Sequence, residues 1–111
     1  MSNRETRWYG WGYCDTTYTL DNRPTAWSYL KTELGLTDEA SAPIVNLDAI
    51  HLRPSRLDET ILGELRQILG AEGVSLEKEV RLTHSLGKSY CDLIRLRGGQ
   101  IPNPTDAVVF P

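Results

Sequence analysis

The sequence predicts a mainly α-helical lobe with an irregular aromatic N-terminal arm and one short C-terminal β-strand. Three observations support this fold class. Apolar residues recur at helical spacing through much of the chain, seven of the nine aromatic residues fall within residues 8–29, and the chain ends in a continuous apolar run. With 111 residues the chain is long enough for one domain with one modest core.

The aromatic arm begins with the segment Trp-Tyr-Gly-Trp-Gly-Tyr at residues 8–13. This spacing fits neither the 3.6-residue period of a helix nor the two-residue period of a strand, so we predict an irregular segment. Each buried ring removes about 150–250 Å² of surface from water, so the arm is expected to pack on something. Two alternatives stay open: the core of this domain, or a partner domain or subunit.

The first predicted helix covers residues 24–34. Pro24 suits its first turn because an N–H at that position has no helical partner. Gly35 favours the left-handed conformation that ends many helices. The apolar residues share one face, which we expect to be buried. They are Trp27, Leu30 and Leu34. Beyond this helix, residues 44–52 are predicted to be extended, with some strand character.

Three further helices are predicted downstream. The second covers residues 57–69 and ends at Gly70. The third opens at Ser75 and is broken by Gly87, and the fourth covers residues 89–97. The second helix should bury one apolar stripe. This stripe consists of Leu57, Ile61, Leu65 and Ile68, and Leu62 and Leu69 widen it.

The last eleven residues combine a linker with a predicted strand. Pro102 and Pro104 fix the backbone of the linker and remove two hydrogen-bond donors. Residues 107–110 form a continuous apolar run, which is typical of a fully buried strand. Such a strand must pair, and no earlier segment is an obvious hairpin partner. We therefore predict a helical lobe over residues 1–100, followed by a linker and strand, residues 101–111, that belong to a further domain.

Composition excludes several classes of protein. The net charge of −3 lacks the surplus of Lys and Arg that a nucleic-acid-binding module needs. No run of about 18 apolar residues is present, and the N-terminal residues lack the apolar core of a signal peptide. Cys14 and Cys91 are too few for a disulfide scaffold. We therefore expect a cytoplasmic protein with two free thiols.

The sequence predicts no catalytic residue and no metal site. Residues 87–89, Gly-Lys-Ser, resemble the end of a phosphate-binding loop, but Leu82 stands where that loop requires glycine. Ser85 and Lys88 match Ser-x-x-Lys without the motifs that accompany it in serine acylases. The two histidines and two cysteines lack metal-ligand spacing. Residues 81–97 are locally basic, which fits a solvated helix face or a contact for an anionic cofactor, substrate or protein surface.

Three stretches of the chain together carry a family resemblance. They are Arg-Trp-Tyr-Gly-Trp-Gly at 7–12, Leu-Arg-Pro-Ser-Arg-Leu at 52–57, and residues 81–97 with 104–111. In this order they resemble the N-terminal region of alkylglycerone-phosphate synthase (alkyl-dihydroxyacetone-phosphate synthase) and its FAD-linked oxidase relatives. The Pro-Asp-Ala-Val-Val segment usual in that family is interrupted here by Thr105.

The resemblance implies a non-catalytic N-terminal lobe of an FAD-dependent oxidoreductase or synthase-like transferase. In that family the FAD-binding and catalytic residues lie downstream. We therefore expect FAD and enzymatic activity in a full-length parent, and neither cofactor nor catalysis in this chain alone. The predicted partner is the downstream FAD domain, which the lobe would brace. The C-terminal strand would then be the first strand of that domain.

Six residues are candidate contacts with that domain or with a substrate channel. They are Trp8, Trp11, His84, Lys88, Tyr90 and Arg97. The alternative function is a stand-alone protein-interaction module that binds its partner through the aromatic arm. Self-association into a homo-oligomer, through residues 8–13 or 107–110, is also expected if these surfaces are left uncovered.

Overall fold

A computed structural model of the chain describes residues 4–38 and 43–111. Its regular elements confirm the mainly α-helical fold class with one short strand pair. In order they are α1 (Pro24–Leu34), α2 (Glu59–Leu69), β1 (Val74–Ser75), α3 (Lys78–Thr83), α4 (Tyr90–Arg97) and β2 (Val108–Val109). None of the helices in the described ranges is both long and apolar enough to cross a membrane.

The chain forms two compact units. The first takes the described residues of Met1–Arg7 and Gly12–Ile44 and contains α1. The second takes Trp8–Trp11 and Val45–Pro111 and contains every other helix and strand named above. The division of the sequence at residue 100 into a lobe and the start of a further domain stays a prediction.

In the first unit, α1 has the predicted bounds. Gly35 adopts the left-handed conformation, with φ of 64°, and the N–H of Leu36 donates to the carbonyl of Lys31. The predicted burial of the apolar face is wrong, because no residue of α1 is buried and Leu34 is 65% exposed. The reason is that the described part of this unit holds no second helix against which the face could pack.

The flanks of the aromatic arm pair with each other within the first unit. Thr6 and Tyr13 form an isolated antiparallel bridge, and the N–H of Cys14 donates to the carbonyl of Glu5 at 2.9 Å. The Arg4 guanidinium lies 4.1 Å from the centre of the Tyr13 ring, in a cation–π contact. The predicted irregular arm is therefore a loop whose two flanks are joined by backbone hydrogen bonds.

The core of the second unit is small and aliphatic. It is made of Ile50, Leu82, Leu93 and Leu96, from the segment after Val45 and from α3 and α4. Around it pack six half-buried side chains. They are Trp8, Val45, Leu47, Leu52, Leu86 and Ile101. Residues 44–52 are extended at Asn46 and Ile50, as predicted, but their predicted strand character is not observed, because a 3₁₀ turn occupies Leu47–Ala49.

Helix α2 is capped by Asp58 and buries only one side of its predicted apolar stripe. The side chain of Asp58 accepts a hydrogen bond from the N–H of Ile61 at 2.8 Å. Of the predicted stripe, Ile61 and Ile68 are exposed, at 43% and 78%. The inward residues are Leu62, which is buried, and Leu65 and Leu69, which are half-buried. This face is selected because α2 packs on β1 and on the turn before it.

The C-terminal strand pairs within this chain, so the prediction that it lacks a partner here is wrong. Strands β1 and β2 are antiparallel, with Val74 opposite Val109 and Ser75 opposite Val108. The N–H of Phe110 extends the ladder to the carbonyl of Gly73 at 2.8 Å. Ser75 therefore lies in a strand and does not open α3, which begins three residues later. A two-residue strand is too short to leave a periodic signal.

Replacing Gly73 with alanine is expected to lower the free energy of unfolding by about 1–3 kcal/mol. An added Cβ would lie 2.7 Å from the Cβ of Leu69 and 3.4 Å from the carbonyl oxygen of Phe110. The matched control is Gly63→Ala in α2, where an added Cβ meets nothing within 4 Å and helix propensity favours alanine by about 1 kcal/mol. Urea unfolding of both variants tests the pair, and equal effects of the two substitutions would contradict the packing.

Candidate functional site

Helix α4 provides the rigid base of the candidate site. Its N-terminus is capped by Ser89, whose side chain accepts from the N–H of Asp92 and donates to the Asp92 carboxylate at 2.9 Å. Leu93 and Leu96 anchor the helix in the core of the second unit. The opposite side of α4 is therefore held in place while it remains exposed.

Residues 8–11 of the arm are fastened along α4 by three hydrogen bonds to backbone carbonyls. The indole N–H of Trp11 donates to the carbonyl of Lys88 at 2.9 Å. The Lys88 ammonium donates back to the carbonyl of Gly10 at 3.1 Å. At the other end of the helix, Nε of Arg97 donates to the carbonyl of Tyr9 at 3.1 Å. The arm is thus held at both ends of α4.

The two tryptophans of the arm have different surroundings. Trp8 is half-buried and packs against the core, and its ring meets that of Tyr9 edge to face at 5.3 Å. Trp11 is 53% exposed and meets the ring of Tyr90 edge to face, also at 5.3 Å. Of the two alternatives for the arm, packing on its own core therefore applies to Trp8 and does not cover Trp11.

The exposed side of this assembly combines apolar and cationic side chains, and we call it the arm–α4 face. It consists of Trp11, Tyr90 and Ile94, with Lys88, Arg95 and Arg97 beside them. Tyr90 and Ile94 are 75% and 69% exposed. Neither Arg95 nor Arg97 forms a salt bridge within residues 4–38 and 43–111. Such a face can pack against apolar groups and pair with carboxylates at its edge.

The structure brings four of the six predicted site residues to the arm–α4 face, namely Trp11, Lys88, Tyr90 and Arg97. Trp8 lies in the same arm but packs against the core, and the sixth residue lies elsewhere. His84 lies after α3, where its Nδ1 is 2.7 Å from the carbonyl oxygen of Val80. Its ring meets that of Phe110 edge to face at 6.1 Å, at the end of β2. His84 is therefore a neighbour of the strand pair and does not belong to the arm–α4 face.

Sequence reasoning missed a polar network around the C-terminal linker. Arg81, which is only 7% exposed, donates from Nε to the carbonyl of Thr105 at 2.7 Å and from Nη2 to the carbonyl of Arg53 at 2.6 Å. Arg53 forms a salt bridge with Asp106 at 2.8 Å. The N–H of Thr105 donates to the hydroxyl of Ser85 at 2.8 Å. The network ties three separate parts of the chain together.

This network accounts for two motifs singled out in the sequence. The Ser85 hydroxyl donates to the carbonyl of Arg81 at 2.6 Å while it accepts from Thr105, so its hydrogen-bonding capacity serves the fold. The inserted Thr105 is fitted by three hydrogen bonds, since its own hydroxyl also donates to the carbonyl of His84. The network joins the second stretch of the family resemblance, residues 52–57, to the third, residues 81–97 with 104–111. The resemblance of these stretches was the one sequence signal that could have pointed to the network.

Comparison with known proteins adds an independent finding. The chain is 38% identical over 82 residues to the alkyldihydroxyacetonephosphate synthase of Trypanosoma brucei brucei, a match that covers 74% of this chain and 12% of that protein. A solved structure of an alkyldihydroxyacetonephosphate synthase, in space group P1, matches 96% of this chain and 23% of its own length, with a TM-score of 0.79 and 26% identity. The chain belongs to the alkyldihydroxyacetonephosphate synthase family. It matches an N-terminal region of that family.

Two further relatives define how much of the family this chain represents. The alkyldihydroxyacetonephosphate synthase of Dictyostelium discoideum is 33% identical over 95 residues, which cover 79% of this chain and 16% of that protein. The chain thus spans less than a fifth of the length of the two synthases from Trypanosoma and Dictyostelium. Protein Rv2250A of Mycobacterium tuberculosis is 31% identical over 116 residues, which cover 100% of this chain and 76% of that protein. No protein-family model matches the chain.

The Gly-Lys-Ser segment at residues 87–89 of this family member is packed and hydrogen-bonded at the start of α4. In the Gly-Lys-Ser segment, a Cβ on Gly87 would lie 3.0 Å from the Asp92 carboxylate, and the Ser89 side chain already caps α4. Within the described ranges, no group of three or more His, Cys, Asp or Glu residues could hold a metal ion. Cys14 and Cys91 are both exposed and unbonded, as predicted.

The environment of the Asp106 carboxylate should make the free energy of unfolding depend on pH in the acid range. The backbone N–H of Arg56, followed by the guanidinium of Arg53, holds the pKa of this carboxyl below its ordinary value. A lowered pKa in the folded state adds stability above about pH 3.9, the pKa of an unperturbed aspartate, and this stability is lost as the pH falls through the folded-state pKa. The difference in unfolding free energy between the wild type and Asp106→Asn should therefore shrink between pH 6 and pH 3.

Urea unfolding at a series of pH values measures this difference. Asp15, whose pKa the Arg4 side chain lowers in the same direction, lies in the first unit and remains in both proteins, so its contribution cancels. A difference that stays constant over the whole pH range would contradict the role given to Asp106.

Proposed function

We propose that this chain is a non-catalytic N-terminal lobe of an FAD-dependent enzyme of the alkyldihydroxyacetonephosphate synthase kind, and that it braces the flavin domain. The observation that carries the proposal is the structural match, which takes in 96% of this chain but only 23% of the solved synthase. In this proposal the remaining part of a longer parent holds FAD, which supplies redox chemistry when bound. The lobe contributes a surface and no reacting group.

The arm–α4 face is the surface that we assign to the flavin domain. Trp11, Tyr90 and Ile94 are more than half exposed, and burial of an aromatic side chain removes about 150–250 Å² from water. Because hydrogen bonds to three backbone carbonyls already fix the arm, docking would order few additional groups. Arg95 and Arg97 would pair with acidic groups at the edge of the contact.

Two further parts of the proposal concern location and assembly. We place the parent in the cytoplasm, where exposed thiols such as Cys14 and Cys91 stay reduced. Where the flavin domain is absent, the uncovered face favours self-association of the lobe. Analytical ultracentrifugation of the 111-residue chain would then show an oligomer at high concentration, and a strict monomer would argue against this part.

The test of the bracing role compares two sets of variants in the longer parent. The double variant Trp11→Ala and Tyr90→Ala should lower the melting temperature of the flavin-loaded protein by several degrees more than that of the isolated lobe. The matched control is Tyr18→Ala, which removes a ring that is 93% exposed in the first unit. Flavin absorbance and circular dichroism follow the two transitions. Equal shifts in the parent and in the isolated lobe would overturn the proposal.

A second candidate function is a stand-alone interaction module that binds a separate protein through the same face. The match to Rv2250A favours it, because the chain spans 76% of that relative and far less of the synthases. Mixing the lobe with the separately expressed flavin domain distinguishes the two. A complex that is lost in the Trp11→Ala and Tyr90→Ala variant supports the brace, whereas no complex at saturating concentration favours the module.

A further inference from the structure

A groove in the second unit has no part in the proposed bracing role. Its volume is about 270 Å³. The residues that line it are Ile50, His51, Leu52, Leu76, Lys78 and Arg81. None of them is acidic, and three of them carry nitrogen donors. The lining therefore combines aliphatic walls with the donor groups of three side chains, which can fix the orientation of a ligand.

Arg81 is the unusual member of this lining. Its side chain is more than nine-tenths buried, yet both hydrogen-bond acceptors of its guanidinium are backbone carbonyls, those of Thr105 and Arg53. Its Nη1 makes no hydrogen bond, and no carboxylate forms a salt bridge with it in the described ranges. A buried cation without a counter-ion is costly. The positive charge of Arg81 is therefore left uncompensated at the wall of the groove.

Lys78 adds a second cation to the same groove. Its ammonium makes one long hydrogen bond, to the carbonyl of Asp48 at 3.3 Å, so two of its three N–H donors remain. Glu77 and Glu79 flank it in sequence, but neither lines the groove. The aliphatic walls lower the local dielectric constant, which strengthens the attraction of both cations for an anion.

We propose that this groove binds a tetrahedral oxyanion of the phosphate type. Arg81 and Lys78 supply two full positive charges, which match the charge of about −1.5 to −2 on a phosphate monoester at pH 7. Nη1 of Arg81, Nζ of Lys78 and the imidazole of His51 provide donors from three residues, and a phosphate group offers at least three acceptor oxygens. The proposal is independent of the bracing role, because no residue of the arm–α4 face lines the groove.

The test is a titration of the 111-residue chain with inorganic phosphate, followed by the chemical shifts of the backbone amides. Shifts of residues 50–52 and 76–81 should saturate with phosphate and not with sodium chloride at matched ionic strength. The variant Lys78→Gln should raise the half-saturating concentration about tenfold, which corresponds to the loss of one charge-assisted hydrogen bond. Lys78 is chosen because Arg81 also supports the fold.

The matched control is Arg66→Gln, which removes one positive charge from the exposed side of α2. It should leave the half-saturating concentration unchanged. Titration with acetate distinguishes a tetrahedral anion from a carboxylate, and we expect acetate to bind more weakly than phosphate. Shifts that do not saturate, an equal loss in both variants, or tighter binding of acetate would each overturn the proposal.

Discussion

Replacing Leu82 with alanine should lower the free energy of unfolding by about 2–5 kcal/mol, the largest effect that we expect from a single apolar substitution in this chain. Leu82 is 0% exposed and lies among Ile50, Leu93 and Leu96 in the small core of the second unit. Truncation removes three carbons from water-excluded contact and leaves a cavity that so small a core fills only in part. Urea unfolding followed by circular dichroism measures the loss.

The control for Leu82 is Ile94→Ala, which removes the same number of carbons. Ile94 is 69% exposed on α4, so its replacement should change the free energy of unfolding by no more than about 0.5 kcal/mol. Similar losses at the two positions would mean that the core is placed wrongly.

Replacing Arg81 with alanine is expected to lower the free energy of unfolding by about 2–4 kcal/mol. The substitution leaves the carbonyls of Thr105 and Arg53 without their donor, in surroundings where water reaches them poorly. The substitution also removes a buried charge that has no counter-ion, which offsets part of this loss. The expected loss of unfolding free energy is therefore smaller than that of two full hydrogen bonds to a charged group. Urea unfolding measures the change.

Two companion variants separate the hydrogen bonds of Arg81 from its charge. Arg81→Lys keeps the charge but cannot reach both carbonyls in the same geometry, so most of the loss should remain. Arg95→Ala removes an exposed arginine that forms no salt bridge in the described ranges and should be nearly neutral, within about 0.5 kcal/mol. A loss below about 1 kcal/mol for Arg81→Ala would contradict the network.

The boundaries of α1 and α4 were the most predictable part of the fold, because their signals are local. Pro24 and Gly35 delimit α1 where predicted, and Ser89 caps α4 one residue from the predicted start. Side-chain burial was less predictable. In α2, Ile61 and Leu62 lie on adjacent faces, and periodicity alone does not tell which face the strand pair will cover.

The strand pair and the polar network could not be derived from local patterns. Strand β1 is two residues long and pairs with residues more than thirty positions later, so neither its length nor its spacing left a signal. Likewise Arg81 contacts backbone carbonyls, which every residue carries. The family resemblance marked these stretches as significant without showing that they meet.

Four residues of the arm–α4 face are among the predicted contact residues, whereas Ile94, Arg95 and the geometry of the face were not predicted. The role of this face as a contact with another domain stays a prediction. Trp8, Trp11, Lys88, Tyr90 and Arg97 were selected from the aromatic arm, the basic segment and the resemblance. Their assembly depends on contacts across 77 to 88 positions, such as that between Arg97 and Tyr9. His84 was included because it belongs to the basic segment 81–97, but its ring lies against that of Phe110 after the end of α3.

The hydrogen bonds that hold the arm determine which of its positions tolerate substitution. Lys88 and Arg97 donate hydrogen bonds to the backbone carbonyls of Gly10 and Tyr9. These two hydrogen bonds therefore do not depend on which side chains occupy positions 9 and 10. Substitutions at positions 9 and 10 can accumulate without breaking these hydrogen bonds. Substitution of Lys88 or Arg97, by contrast, removes a donor. Homologous lobes can therefore carry different side chains at positions 9 and 10 while the same hydrogen bonds hold the backbone of the arm.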